Sequence, residues 1–250
     1  MNDERKRELA EMMGEKNIVR SPIKKYSLVR LNGRTGKFVY IPLKSDGNSY
    51  GQSEEIDGIS GVIVAVRRQL GEINNNNSII STEYDDPNEI ITVWDKNINS
   101  GKSIKVMTGN QDKIKEQIKT IKSYRCLYIL TKNEIVRVQI KGFGLTHLFD
   151  YLNSISKEKL HLFEVKTKIS SNKEESKMGE FYAVNFDMID YKLSKEEFET
   201  VESEMKEFHS LVRDNKLIPA EVVRKDNEEI DVIDIDKEDL DEEIIEEIPF

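Results

Sequence analysis

Cysteine, proline and long apolar segments are scarce in this chain. Cys126 is the only cysteine, so no disulfide can form within the chain and no thiolate zinc site can be built from it. No segment approaches the run of about 18 apolar residues that a membrane-spanning helix needs. The N-terminal residues, MNDERKRELAEMM, lack the apolar core of a signal peptide. We therefore expect a cytoplasmic protein that does not bind membranes.

Motifs that carry catalytic chemistry are also few. The sequence Gly101-Lys102-Ser103 matches the end of a phosphate-binding loop, but Lys96 stands where that motif needs its first glycine. The residues after Ser103 have the pattern of a strand, so no helix N-terminus would face a phosphate. The three histidines are far apart in sequence and have no cysteine or paired carboxylates beside them. We expect no enzymatic activity, no metal and no cofactor.

Negative charge is concentrated at one end of the chain. Residues 226–250 contain 13 Asp or Glu and one Lys, a net charge of −12, whereas the whole chain carries −9 and residues 1–225 therefore carry +3. A weakly basic body with an acidic appendage is typical of a protein that binds phosphates and screens its own surface. Because the region after Asn227 has no packing pattern, we expect it to be disordered.

Short segments rich in β-branched residues dominate the body. Their alternation predicts strands at 38–41, 61–68, 79–84, 89–95, 104–108, 124–131, 134–141, 160–169 and 180–189. Of these, 61–68 (GVIVAVRR) has the composition of a strand at the centre of a sheet. Polar stretches predict a long loop at 44–58 and another at 170–179.

Apolar residues at helical spacing predict helices between the strands. The pattern indicates a charged peripheral helix at 3–16, a helix within 111–122 and another that includes 145–152. Ser194 and Glu197 form a capping box that opens a last helix, which Pro219 ends.

The sequence thus predicts a mainly β protein of the α+β class. The strand-rich pattern, interrupted by a helix, favours an elaborated five-stranded OB-type barrel with extra hairpins and helices, and a β-sandwich is the alternative. We expect an N-terminal extension at 1–30, a folded domain at 31–219 and an acidic tail at 220–250.

Basic and aromatic residues accompany the predicted strands. Sequence-tolerant binding of a single strand needs positive charge along a groove and aromatic faces on which bases stack. In 135–141, Arg137, Gln139 and Lys141 point away from the apolar residues between them, which predicts a basic stripe. The candidate contacts are Phe38, Tyr40, Tyr50, Arg67, Arg68, Trp94, Lys102, Lys105, Arg125, Arg137 and Lys141.

The chain closes with the sequence DLDEEIIEEIPF. This end resembles the acidic C-terminal tip of bacterial single-stranded DNA-binding proteins, which other replication and repair proteins capture. The resemblance covers about the final dozen residues and implies that the protein binds single-stranded DNA and recruits partners. The residues implied to bind partners are Asp241, Glu242, Glu243, Glu246, Glu247, Ile248, Pro249 and Phe250.

A second stretch, Lys141-Gly142-Phe143-Gly144 running into LTHLFDYLNSI, is similar to a region of phage-encoded single-stranded DNA-binding proteins. The body is larger than one minimal OB barrel, and no Gly-, Gln- and Pro-rich linker precedes the tip. Both differences favour a divergent or phage-encoded member of the single-stranded DNA-binding proteins. Such a protein would act at the nucleoid or in the cytoplasm of an infected host. Two alternatives remain open at this point. One is a decoy that only occupies the partners' pockets, and the other is a strand-annealing recombination factor. The sequence also leaves open whether the chain forms a homo-oligomer.

Overall fold

The computed structural model describes residues 25–47, 49–73, 77–97, 103–132, 134–176, 179–190 and 193–213. Within these ranges eleven strands belong to one sheet. The strands are β1 Ser27–Leu31, β2 Phe38–Ile41, β3 Glu54–Ile56, β4 Ile59–Ile73, β5 Asn77–Ser81, β6 Ile91–Asn97, β7 Ser103–Gly109, β8 Lys122–Leu130, β9 Ile135–Ile140, β10 Lys166–Ser176 and β11 Gly179–Asp190.

The sheet is mixed and open. Its strands follow the order β3-β2-β1-β9-β8-β4-β5-β6-β7, and β10 pairs with β4 and with β11. β1 and β9 run parallel, and the other ladders of the described residues are antiparallel. The predicted mainly β class is therefore confirmed.

The long strand β4 lies at the centre of the sheet, as the composition of 61–68 predicts. It pairs with β8 over most of its length, with β10 near its start and with β5 near its end. Gly61 permits the close approach of β8, because a Cβ at this position would lie 2.3 Å from the carbonyl oxygen of Leu130. The predicted hairpin of 124–131 and 134–141 is present as β8 and β9.

Three α-helices lie in the described ranges: α1 Gln111–Gln117, α2 Phe143–Lys157 and α3 Lys195–Arg213. The side chain of Asn110 caps α1 by accepting from the amide of Lys113 at 3.0 Å. α1 is shorter than the predicted 111–122, although Ile118 and Ile121 still pack in the same apolar cluster as Ile114. The predicted capping box of α3 is confirmed, since Ser194 and Glu197 exchange hydrogen bonds of 2.9 and 3.2 Å.

The main core lies between α2 and one face of the sheet. Leu148 of α2 is fully buried against residues such as Val29, Leu127 and Val138. A second apolar cluster forms beneath α3, where the ring of Phe208 lies 4.4 Å from that of Tyr128. Among the helices of the described ranges, none is both long enough and apolar enough to cross a membrane.

Two predicted loops are corrected by the structure. The stretch 44–58 contains β3, which pairs with β2, and an isolated bridge between Leu43 and Tyr50. The stretch 170–179 continues β10 and begins β11, and its polar composition reflects exposed side chains on a long hairpin rather than a loop.

β1 crosses the predicted domain boundary between residues 30 and 31. The predicted helix at 3–16 and the tail at 220–250 lie outside the described residues.

Candidate nucleic-acid interface

The strands β1, β9, β8 and β4 have one apolar face and one polar face. Because side chains alternate along a strand, the residues between the core positions point to the other side of the sheet. We call this side the outer face. It is formed by Leu28, Arg30, Arg67, Gln69, Tyr124, Cys126, Tyr128, Arg137, Gln139 and the following Lys141.

A buried carboxylate, Glu83, joins the outer face to the segment that connects β5 and β6. Its side chain is 4% exposed and accepts from the hydroxyl of Tyr128 at 2.8 Å and from Nε of Arg137 at 2.7 Å. Nε of Arg67 lies 3.5 Å from the same carboxylate, and Nη1 of Arg67 donates to Asp85 at 2.7 Å. The charges of these two arginines are therefore compensated within the fold.

This network corrects the prediction of an exposed basic stripe on β9. Arg137 is only 3% exposed, and its guanidinium also donates to Gln69 at 2.8 Å. Arg67 is 7% exposed. The alternation on β9 predicts the correct face, but it does not reveal that a segment 54 residues away supplies Glu83 to cover that face.

Three further candidates lie on the opposite side of these strands or in the core. Phe38 is fully buried in the main core, and Tyr40 packs against that core and donates its hydroxyl to Glu134. Arg125 is 6% exposed and lies over the ring of Phe149 at 5.7 Å. Such buried side chains support the sheet and are poorly placed to touch a strand of DNA.

The remaining candidates are more accessible. Lys141 and Lys105 are exposed, and Trp94 and Tyr50 are half-buried. Trp94 on β6 is the ladder partner of Lys105 on β7, so an aromatic and a basic residue are paired on the part of the sheet beyond β4. The ammonium group of Lys25 lies 5.9 Å above the ring of Tyr50.

Arg68 is half-buried, and its backbone exchanges hydrogen bonds of 2.8 and 3.0 Å with that of Tyr84. Lys102 lies outside the described residues, as do the proposed partner-binding residues Asp241, Glu242, Glu243, Glu246, Glu247, Ile248, Pro249 and Phe250.

The sequence reasoning missed Arg30. This residue follows Val29, whose partner on β9 is Val138, and stands opposite Val39 of β2. It is half-buried, and its Nε atom is buried without a hydrogen-bond partner. The alternation in Ser27–Leu31 is the signal for it, because Leu28 and Arg30 share a face, and this strand begins before residue 31, where the sequence predicts the start of the folded domain.

The electrostatic setting of Arg30 differs from that of its neighbours. Burial and, to a smaller extent, the charge of Arg137 lower the pKa of Arg30 to about 10, and Tyr124 and Tyr50 oppose this shift. The guanidinium nevertheless remains protonated at neutral pH. Within the described ranges, no ion pair joins Arg30 to a carboxylate, in contrast to Arg67 and Arg137.

The outer face thus has two ends with different properties. α3 covers the apolar end at Tyr128, while the polar end presents Arg30, Gln139 and the exposed Lys141. Burial raises the pKa of the Cys126 thiol, which lies in the middle of this face and is fully buried, so the thiol is unreactive. In the part of the chain that the structure describes, no three His, Cys, Asp or Glu side chains are grouped to hold a metal ion. Comparisons with protein-family models, with curated proteins and with solved structures gave no match to this chain.

Proposed function

We propose that this protein binds single-stranded DNA without sequence preference and takes no part in catalysis. The observation that carries the proposal is the polar end of the outer face, where Arg30 has no carboxylate partner in the described ranges and lies on the same face as Gln139 and the exposed Lys141. Tyr50, which is half-buried, lies near enough to Arg30 to influence its pKa. Cations beside aromatic rings are the combination that sequence-tolerant binding of single strands uses.

The order of the strands supports an OB-type ancestry for the central part of the sheet. β4, β8 and β9 form an antiparallel meander, α2 follows, and the hairpin of β10 and β11 returns to pair with β4. We interpret this order as that of a modified five-stranded OB fold, in which the face of the second and third strands and the loops after the first and fourth strands bind oligonucleotides. In that interpretation β8 and β9 are the strands that bind the oligonucleotide, and the outer face is where it is expected to lie.

Among the described residues no ladder joins β9 to β11, which agrees with a modified, partly open barrel. The turn between β1 and β2 lies against β11, since the carbonyl of Gly33 accepts from the amide of Tyr182 at 3.0 Å. The hydroxyl of Ser171 on β10 donates to the carbonyl of Gly36 at 2.5 Å. In addition, β5, β6, β7 and α1 lie between β4 and β8 in the chain. In the proposed OB interpretation, this insertion with Trp94 and Lys105 corresponds to the loop after the first strand, which helps to hold the ligand.

The acidic C-terminal tip is proposed to recruit replication, recombination or repair proteins. Ile248, Pro249 and Phe250 supply a compact apolar group after a run of carboxylates, which is a suitable short docking peptide. Binding assays with purified replication and repair proteins test this part, with Phe250→Ala as the variant. Loss of partner binding in this variant is expected, and unchanged binding would contradict the role of the tip.

A titration of fluorescently labelled oligothymidine, followed by anisotropy at low and at higher salt, tests the DNA-binding part. We expect saturable binding that weakens with salt, because each neutralised phosphate contributes about 0.7 to the slope of log K against log salt for single strands. Deleting residues 226–250 should strengthen binding, since the tail carries a net charge of −12. No binding at low salt, with or without the tail, would favour the decoy function instead.

A further inference from the structure

The outer face carries three arginines, and their charges are balanced very differently. Arg137 and Arg67 share the buried carboxylate of Glu83, and Arg67 also pairs with Asp85. Arg30 lies on the same face near Arg137 but has no such partner in the described ranges. The fold therefore brings together more guanidinium groups than carboxylates at this end of the face.

An uncompensated, partly buried guanidinium destabilises a fold. The Nε atom of Arg30 is removed from water and forms no hydrogen bond, so its desolvation is not offset. The nearby charge of Arg137 adds repulsion. An anion that reached Arg30 would relieve both effects.

The surroundings of Arg30 restrict which anion fits. Gln139 lies beside Arg30 across the parallel ladder and has an amide that also donates to Gln69 at 3.2 Å. Tyr50 and Tyr124 both influence the pKa of Arg30, and of the two only Tyr50 is accessible, since Tyr124 is buried. A guanidinium binds phosphate oxygens in a planar, two-point arrangement, and an accessible aromatic ring nearby suits a base that accompanies a phosphodiester.

We propose that Arg30 binds one phosphodiester group of the single strand and is the principal phosphate contact on the outer face. This inference rests on the proposed function and adds to it the residue and the chemical group that meet. It also explains why an arginine that has no carboxylate partner among the described residues is half-buried on a strand of the sheet.

The test compares the full chain with its Arg30→Met and Arg30→Lys variants and with Arg34→Met as the matched control. Arg34 is exposed in the turn after β1, so its removal changes the net charge equally without touching the outer face. Binding of labelled oligothymidine is measured by anisotropy at several salt concentrations, and thermal unfolding is measured without DNA. We expect Arg30→Met to weaken binding by about tenfold and to reduce the salt slope by about 0.7.

The same variant should unfold at a higher temperature than the wild type, because it removes an unpaired, partly buried charge. Arg30→Lys should restore the salt slope but not the full affinity, since an ammonium group lacks the two-point geometry. Arg34→Met should change neither the affinity nor the melting temperature appreciably. If Arg30→Met proves unstable, the comparison of Arg30→Lys with the wild type still tests the two-point contact.

The possible failures can be told apart. A wild type that does not bind oligothymidine at low salt contradicts the proposed function. If the wild type binds but Arg30→Met has the same affinity and slope, only the inference about Arg30 is overturned. Thermal stabilisation by inorganic phosphate that depends on Arg30, without oligothymidine binding, would indicate a site for free phosphate and overturn the strand as its source.

The acidic tail is the other group that could bind to Arg30, and the test must exclude it. All proteins are therefore also prepared without residues 226–250. An effect of Arg30→Met that persists in the truncated chain supports contact with DNA. If the effect disappears on truncation, Arg30 acts on the carboxylates of the tail, and the phosphodiester assignment is wrong.

Discussion

The two faces of the strands β1, β9, β8 and β4 use the same alternation of side chains for different purposes. On the inner face, apolar residues such as Leu127 and Val138 pack against α2 and lie fully buried. On the outer face, the buried positions hold charged and amide groups, and Glu83 balances two of the three arginines. The difference teaches that one face stabilises the fold, whereas the unbalanced charge on the other is the basis of the proposed function.

The largest effect should come from removing the balancing carboxylate of the outer face. Glu83→Ala would leave Arg67 and Arg137 buried without their shared partner, so we expect a loss of about 3–5 kcal/mol in the free energy of unfolding. Urea denaturation measures this loss. Asp85→Asn is the control, because the Asp85 side chain is 61% exposed and its ion pair should contribute no more than about 1 kcal/mol. Equal losses in the two variants would contradict the central position of Glu83.

The inner face should be almost as sensitive, for a different reason. Leu148→Ala would leave a cavity beneath α2, where the leucine is fully buried, and should cost about 2–5 kcal/mol. Ile104→Ala on β7 is the control, since Ile104 is 70% exposed and should change stability by no more than about 0.5 kcal/mol. Urea denaturation of both variants checks the contrast. A small loss at Leu148 would mean that α2 is not part of the core.

A smaller effect is expected where α3 begins to cover the outer face. Ser194→Ala removes the side-chain acceptor of the capping box and should lower the free energy of unfolding by about 1 kcal/mol. Thermal unfolding followed by circular dichroism measures the change. Ser210→Ala, in the last part of the same helix, is the control and should have little effect.

The smallest effect concerns the dependence of stability on pH. Hydrogen bonds from Lys166 and from Ser194 lower the pKa of Glu197 to about 2. The ordinary value in an unfolded chain is about 4.3, so the contribution of Glu197 is complete above that pH and is lost as the pH falls toward 2. The difference in melting temperature between the wild type and Glu197→Gln should therefore shrink between pH 6 and pH 2. A constant difference over this range would contradict the lowered pKa.

The sequence predicted the class, most of the strands and the capping box because these depend on local alternation and on local hydrogen bonds. It failed for the long β10–β11 hairpin, where the exposed residues of 170–179 have the composition of a loop although their backbones pair. The site was harder to predict. Arg67 and Arg137 are hidden by Glu83, which comes from a distant segment, and the pairing of β1 with β9 that places Arg30 on the outer face has no local signature.

Ultraviolet cross-linking of the full chain to oligothymidine, followed by mass spectrometry of the peptides, tests the location of the interface most directly. The account predicts adducts on accessible aromatic residues, with Tyr50 beside the polar end of the outer face foremost and Trp94 of the β5–β7 insertion next. Adducts confined to α3, with none on these two residues, would contradict it.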